Sequence, residues 1–182
     1  MKLLGLLRHA KSDWDDLALR DFDRGLNQRG RTGAALMGHH IVDHGVRWDM
    51  ALASPAERVK TTLEASRLTM PITWDQRAYL ADSDSLLMLL RALPRDADSV
   101  LLAAHNPGLH DLLLTLADPK DAHGTGNDAL FEAAAEKFPT AAFAVLKLDI
   151  ADWADCAPGC GRLVHFARPR DLDPALGPIA YG

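Results

Sequence analysis

The sequence predicts an α/β fold, a three-layer α/β/α sandwich around a mostly parallel central sheet. Short apolar runs that suit buried strands alternate with segments patterned as helices. The strongest of these runs end in polar clusters that open the next helix, as a parallel sheet connected by crossover helices requires.

Lys2 to Leu7 reads as the first strand. Asn27 has the side chain to cap a helix running to about His44, where Gly45 stops it. Trp48 to Ala53 reads as the second strand, and Ser54-Pro55 as a cap and first turn ahead of Val59, Leu63 and Ser66 on one face. Pro71 to Trp74 is a shorter, weaker strand. Leu86, Leu89, Leu90 and Leu93 keep helical spacing until Pro94. Ser99 to Ala104 is a strong strand, and Asn106-Pro107 repeats the cap signature before Leu109, Leu112, Leu113 and Leu116. Ala142 to Ile150 and Arg162 to Ala167 close the sheet as an antiparallel pair. The glycine-rich stretch from Ala122 to Asp128 reads as a mobile loop near the mouth of the site.

The 182 residues suit one domain, read as 1–170, followed by a tail over 171–182 that packs along the surface or frays. A net charge of -5 argues against a general nucleic-acid binder, so positive charge for an anionic substrate must be local. The apolar run after Met1-Lys2 is too short for a secretory h-region and is broken by Arg8-His9. No stretch reaches the ~20 apolar residues of a membrane span. Cys156 and Cys160 are too few for a disulfide framework and read as free thiols of a cytoplasmic protein.

In parallel sheets ligands bind outside the carboxyl ends of the strands. Three strand ends here carry unusual polar groups: Arg8-His9, Ser54 to Arg58, and His105-Asn106. Together they suit phosphoryl transfer, which needs a nucleophile and positive charge on the equatorial oxygens. A neutral His9 is a competent nucleophile, and Arg8, Arg58 and His105 all disfavour its protonation. The two arginines offer planar multi-donor contacts to phosphate, Arg58 from the first turn of its helix. His105 is placed to donate to a phosphate oxygen. Each segment alone reads more readily as ordinary structure; their occurrence in order at three junctions is what carries the prediction.

These segments also carry a resemblance. Leu7-Arg8-His9-Ala10-Lys11-Ser12 resembles the signature of the histidine phosphatase superfamily, the phosphoglycerate mutase-like fold. Asp23 to Gly30 resembles that family's Pro-Leu-Thr-x-x-Gly helix start, with Gly25 in place of the proline. Ala53-Ser54-Pro55 through Arg58 with Thr61-Thr62 matches the second-arginine motif, and Ala104 to Gly108 the second-histidine motif. The resemblance implies that His9 is the phosphorylated nucleophile and that Arg8, Arg58 and His105 bind phosphate, with no metal and no cofactor. Short length and the Arg-His-Ala-Lys-Ser opening are most similar to the SixA type of phosphohistidine phosphatase. Asn106 stands where the acid-phosphatase branch places aspartate. Larger relatives take a general acid from a glutamate, but Gln76 to Asp82 holds none. Asp82 is the nearest candidate, although a helix-capping role suits it better. Asp13, Asp15, Asp16, Asp21 and Asp23 crowd the loop after His9.

The expected function is hydrolysis of phosphohistidine on a protein, such as a histidine phosphotransfer domain, through phospho-His9. A small-molecule phosphomonoesterase with the same intermediate and a non-catalytic phosphoprotein-binding module are the alternatives. Neither nucleic acid nor membrane is an expected partner. His40 and His44 have the i, i+4 spacing of a metal pair but read as an exposed polar helix end, and His110 and His165 as structural or surface residues. Lys11 and Ser12 are candidates for contacting phosphate or ordering the loop.

Overall fold

The computed structural model describes residues 1–117 and 128–178. Six strands form one sheet: β1 (Lys2–Arg8), β2 (Met50–Ala53), β3 (Ile72–Trp74), β4 (Ser99–Ala104), β5 (Phe143–Leu148) and β6 (Gly161–Ala167). Their spatial order is β3-β2-β4-β1-β5-β6. The first four strands in this order run parallel, while β5 is antiparallel to β1 and to β6. The helices are α1 (Gln28–Asp43), α2 (Glu57–Ser66), α3 (Ser83–Arg91), α4 (Gly108–Leu116), α5 (Asp128–Glu136) and α6 (Pro169–Leu172).

Strand alternation sorts the core into two layers, because successive side chains leave opposite faces of a strand. Leu4, Leu6, Val100, Leu102, Ala144 and Leu146 face one way and pack with leucines of α3 and α4, Phe138 and Trp153. Leu7, Leu101, Ala103, Phe143 and Val145 face the other way, against Met37 and Ile41 of α1 and Val59 and Leu63 of α2. The expected three-layer α/β/α arrangement follows. β2, β3 and β5 are shorter than the sequence reading, β4 matches it, and β1 and β6 each gain a residue; Trp48 precedes β2 and packs in the second layer.

Asn27 caps α1 by accepting from the Gly30 N–H at 2.8 Å, and Gly45 follows the helix with φ +85°, a conformation glycine adopts without strain. Two expected caps are corrected. Neither Ser54 nor Asn106 caps a helix with its side chain: the residues at the caps are Ala56 and Pro107, and the Asn106 amide donates instead to the Phe138 carbonyl. Both side chains are turned to other tasks at the sheet edge.

The part of the tail that is described is ordered against α1. Pro169–Leu172 forms a helical turn, and Arg29 donates to the Ala175 and Gly177 carbonyls. Cys156 and Cys160 are free thiols with sulfurs 4.0 Å apart. The glycine-rich stretch read as a mouth loop lies almost wholly outside the described residues. No helix among the described residues is long and apolar enough to cross a membrane.

Candidate active site

The neighbouring positions of β2, β4 and β1 bring Ser54, His105 and His9 to one edge. The Ser54 amide donates to the Ala103 carbonyl at 3.0 Å, and the His9 amide to the Ala104 carbonyl at 3.3 Å. Strands in such a sheet lie about 4.8 Å apart, so residues just past adjacent strand ends are within side-chain reach. The His9 and His105 ring centroids are 5.2 Å apart.

His9 is 8% exposed, and its Nδ1 lies 2.8 Å from the Ala10 carbonyl. A carbonyl only accepts, so Nδ1 carries the hydrogen and Nε2 keeps its lone pair. Burial is the main force on its titration and lowers the pKa to about 4; Arg58 and Arg8 push the same way, against the Ala10 hydrogen bond and Asp21. At neutral pH His9 is an uncharged imidazole whose Nε2 lone pair is free. His105 is lowered further, to about 3, by burial first and then by His9 and Arg58. Its Nε2 is 2.7 Å from the Ser54 hydroxyl, which already accepts from the Ala56 amide. With that hydroxyl donating its hydrogen bond to Nε2, the hydrogen of His105 sits on Nδ1, an atom that is buried and has no protein partner.

Arg8 donates through NH1 to the Phe138 carbonyl at 3.1 Å, while its Nε is buried without a partner. Arg58, 5% exposed, enters from the second residue of α2 and donates to the Asp21 carbonyl at 2.7 Å and the Asp21 carboxylate at 3.0 Å. Arg8 and Arg58 are close enough for Arg58 to lower the Arg8 pKa, although burial lowers it more. Two guanidiniums and two neutral imidazoles therefore share one electrostatic neighbourhood, with buried donors on Arg8 and His105 left for an anion. A buried donor without an acceptor costs about 1–3 kcal/mol, which an oxyanion would recover.

The loop after His9 is fixed by three contacts. The Thr62 hydroxyl accepts from the buried Ala10 amide at 2.9 Å and donates to the Arg58 carbonyl at 2.6 Å. The Asn27 amide donates to the Lys11 carbonyl, and Ser12 bridges to Leu26. Gly30 allows this approach, since a Cβ there would stand 2.1 Å from the Lys11 carbonyl oxygen. Lys11 and Ser12 thus order the loop through their backbones, and the Lys11 side chain is exposed.

Among the loop carboxylates, Asp21 reaches the site. Besides Arg58 it accepts from the Tyr79 hydroxyl at 2.5 Å, and the Tyr79 ring meets His105 edge-on at 5.5 Å. Partial burial raises the Asp21 pKa, but the bonds from Tyr79 and Arg58 outweigh it, and the carboxyl is held below its ordinary range. Asp82 caps α3, accepting from the Ser85 amide at 2.8 Å, and that bond lowers its pKa too. No hydrogen bond joins Asp82 to His9, Arg8, Arg58 or His105. Tyr79 and the hydrogen-bonding role of Ser54 were not legible in the sequence, because nothing in their local spacing marks them.

The histidine phosphatase superfamily (branch 1) family model matches residues 4–85, the stretch holding Arg8, His9 and Arg58. A proposed phosphohistidine phosphatase SixA of Agrobacterium tumefaciens is 32% identical, with a TM-score of 0.72, covering 92% of this chain and 98% of that one. The chain belongs to the histidine phosphatase superfamily. Another proposed SixA, from Nakamurella multipartitia, superposes with a TM-score of 0.79 at 27% identity over 92% of this chain and 96% of that one. An uncharacterized protein of Mycobacterium tuberculosis H37Rv is 33% identical over 165 residues, 90% of this chain and all of the relative. This histidine phosphatase is of the SixA type in architecture, has the phosphoglycerate mutase-like fold, and is a hydrolase.

Proposed function

We propose that this histidine phosphatase hydrolyses phosphohistidine carried on a protein, through a covalent phosphohistidine on His9. The observation that carries this reading is a neutral His9 beside two arginines, where the carboxylate that reaches the site, Asp21, is already engaged by Arg58 and Tyr79. A site whose carboxylate is engaged in this way suits a leaving group that needs little acid help. A protonated phosphoimidazole departs as a neutral ring, whereas an alkyl phosphate must expel an alkoxide or be protonated.

In the first step His9 Nε2 attacks phosphorus in line as the P–N bond of the substrate breaks, and the electron pair of that bond stays on the departing imidazole. Arg8, Arg58 and His105 hold the equatorial oxygens throughout, so they bind the spread charge of the transition state. In the second step water attacks phospho-His9, the new P–O bond replaces the P–N bond, and phosphate leaves with His9 neutral again. These residues supply charge, alignment and nucleophile without calling on a metal.

A substrate panel tests the proposal. Wild-type protein should turn over a phosphohistidine peptide and phosphoramidate faster than glycerol phosphate, sugar phosphates or nucleotides. His9→Ala should abolish all of it while far-UV circular dichroism stays unchanged. Glycerol phosphate turned over as fast as phosphoramidate would favour the small-molecule phosphomonoesterase, and turnover of none of them a binding module.

A further inference from the structure

Beside the catalytic loop lies a groove of about 390 Å³ whose lining includes Lys11, Arg29, Lys137, Arg168 and Arg170 and no carboxylate. Five cations on one concavity are unexpected in a chain of net charge -5. The groove abuts the site through its own wall. Ala10 and Lys11 directly follow the nucleophile, and the wall segment 137–141 carries the Phe138 carbonyl that holds Arg8 and the Ala141 amide that donates to the His9 carbonyl.

The nearest carboxylate, Asp171, offsets one of the five charges through a bidentate pair with Arg168 and leaves four. Asp171 is bound by Arg168 at 2.9 Å and is also within the field of Arg170, and Glu136 acts on Arg168 from a greater distance. Arg29 is held in place by two tail carbonyls, which leave its charge unopposed. The Lys11 and Lys137 side chains make no hydrogen bond or ion pair among the described residues. The far wall is built by the tail, where a Cβ on Gly33 of α1 would just touch Pro169.

We propose that this groove is a docking site for an acidic segment of the phosphorylated protein, contiguous with the phosphohistidine that enters the site. This rests on the phosphohistidine reading above and names the substrate feature that the enzyme selects. Its volume suits a few side chains of an extended peptide, not a nucleic-acid duplex, and the prolines Pro139, Pro169 and Pro178 give it fixed walls. Because the rest of the molecule is acidic, only a partner whose negative charge is delivered to this spot gains from it. Charge here acts on encounter and KM, since none of the five cations belongs to the phosphate cradle.

The test uses two phosphohistidine peptides that differ only in having glutamate or glutamine on both flanks, together with phosphoramidate. Wild type should prefer the glutamate peptide by about tenfold in kcat/KM, through KM, with the preference fading at high salt. Lys137→Glu/Arg170→Glu should erase the preference and leave phosphoramidate turnover unchanged. Binding of a fluorescein-labelled, unphosphorylated glutamate peptide reads the groove independently of turnover and should weaken in the same variant. Equal kcat/KM for the two peptides in wild type, or peptide binding indifferent to the double substitution, would overturn the docking site. Loss of phosphoramidate turnover in wild type would instead sink the catalytic reading, while the binding arm still decides the groove.

Discussion

At His9 burial and two arginines act in the same direction, and the consequence is a titration displaced to about 4. The sign matters for chemistry. A protonated imidazole has no lone pair on Nε2, so His9 stays nucleophilic down to pH values where an exposed histidine would be charged. Following the His9 Cε1–Hε1 resonance by NMR should show no titration between pH 7.5 and pH 5 and a midpoint near 4. A midpoint near the ordinary ~6.5 would mean that the ring is not held as described. Arg58 is a different kind of contributor. Its guanidinium spans the Asp21 carbonyl and carboxylate with two nitrogens, a forked geometry that an ammonium cannot copy. Arg58→Ala should lower kcat/KM by roughly 10²–10³, and Arg58→Lys should recover little of it. Recovery to near wild-type rates would show that charge alone suffices. His9, Arg8, Arg58 and His105 were readable because each sits at a strand-to-helix junction inside an ordered motif. Asp21 was one of five loop aspartates with nothing local to single it out; only the fold brings it to Arg58 and Tyr79.

The junctions themselves are built from small residues and hydroxyls. Thr62 lies one turn into α2 and ties the helix that carries Arg58 to the loop that carries His9. Thr62→Val keeps the shape but removes the acceptor of the buried Ala10 amide, at a cost of about 1–3 kcal/mol in urea unfolding. Because the lost bond ties the loop of His9 to the helix of Arg58, kcat for phosphoramidate should fall as well, by about tenfold. A stability loss with kcat intact would show that the tether is only structural. Strands and helices were legible in the sequence from apolar runs and leucine spacing, as was the antiparallel pairing of β5 with β6, whereas the order β3-β2-β4-β1 comes from the structure. The misassigned caps are instructive. Ser54 and Asn106 have capping chemistry in the right places, but buried partners, His105 and the Phe138 carbonyl, claim their side chains instead. His40 and His44 likewise read as an exposed helix end, yet both rings pack on His165 of β6, at centroid distances of 5.0 and 4.2 Å. Contacts between residues so far apart in the sequence leave no local trace.

Among the described residues, burial lowers the pKa of His9 to about 4, of His105 to about 3 and of His165 to about 4, and it lowers that of His44 as well. Below pH 6.5 the unfolded chain takes up protons that these folded rings refuse, so stability falls as pH drops from about 6.5 towards the folded values. Calorimetry should show Tm falling steadily from about pH 6.5 to about pH 5.5, above the range where ordinary carboxyls titrate; a flat Tm there would contradict the burial of neutral rings. The central claim concerns chemistry more than stability: four side chains scattered from residue 8 to residue 105 form one site that accepts a phosphoryl group on His9. The most direct measurement is to mix protein with phosphoramidate, quench in alkali, where a P–N bond to histidine survives, and map the added phosphoryl mass by peptide fragmentation. The account predicts one phosphoryl group on His9 in the wild type, more of it in His105→Ala if release slows, and none in His9→Ala. A phosphoryl group on any other residue, or turnover with His9 never labelled, would contradict it.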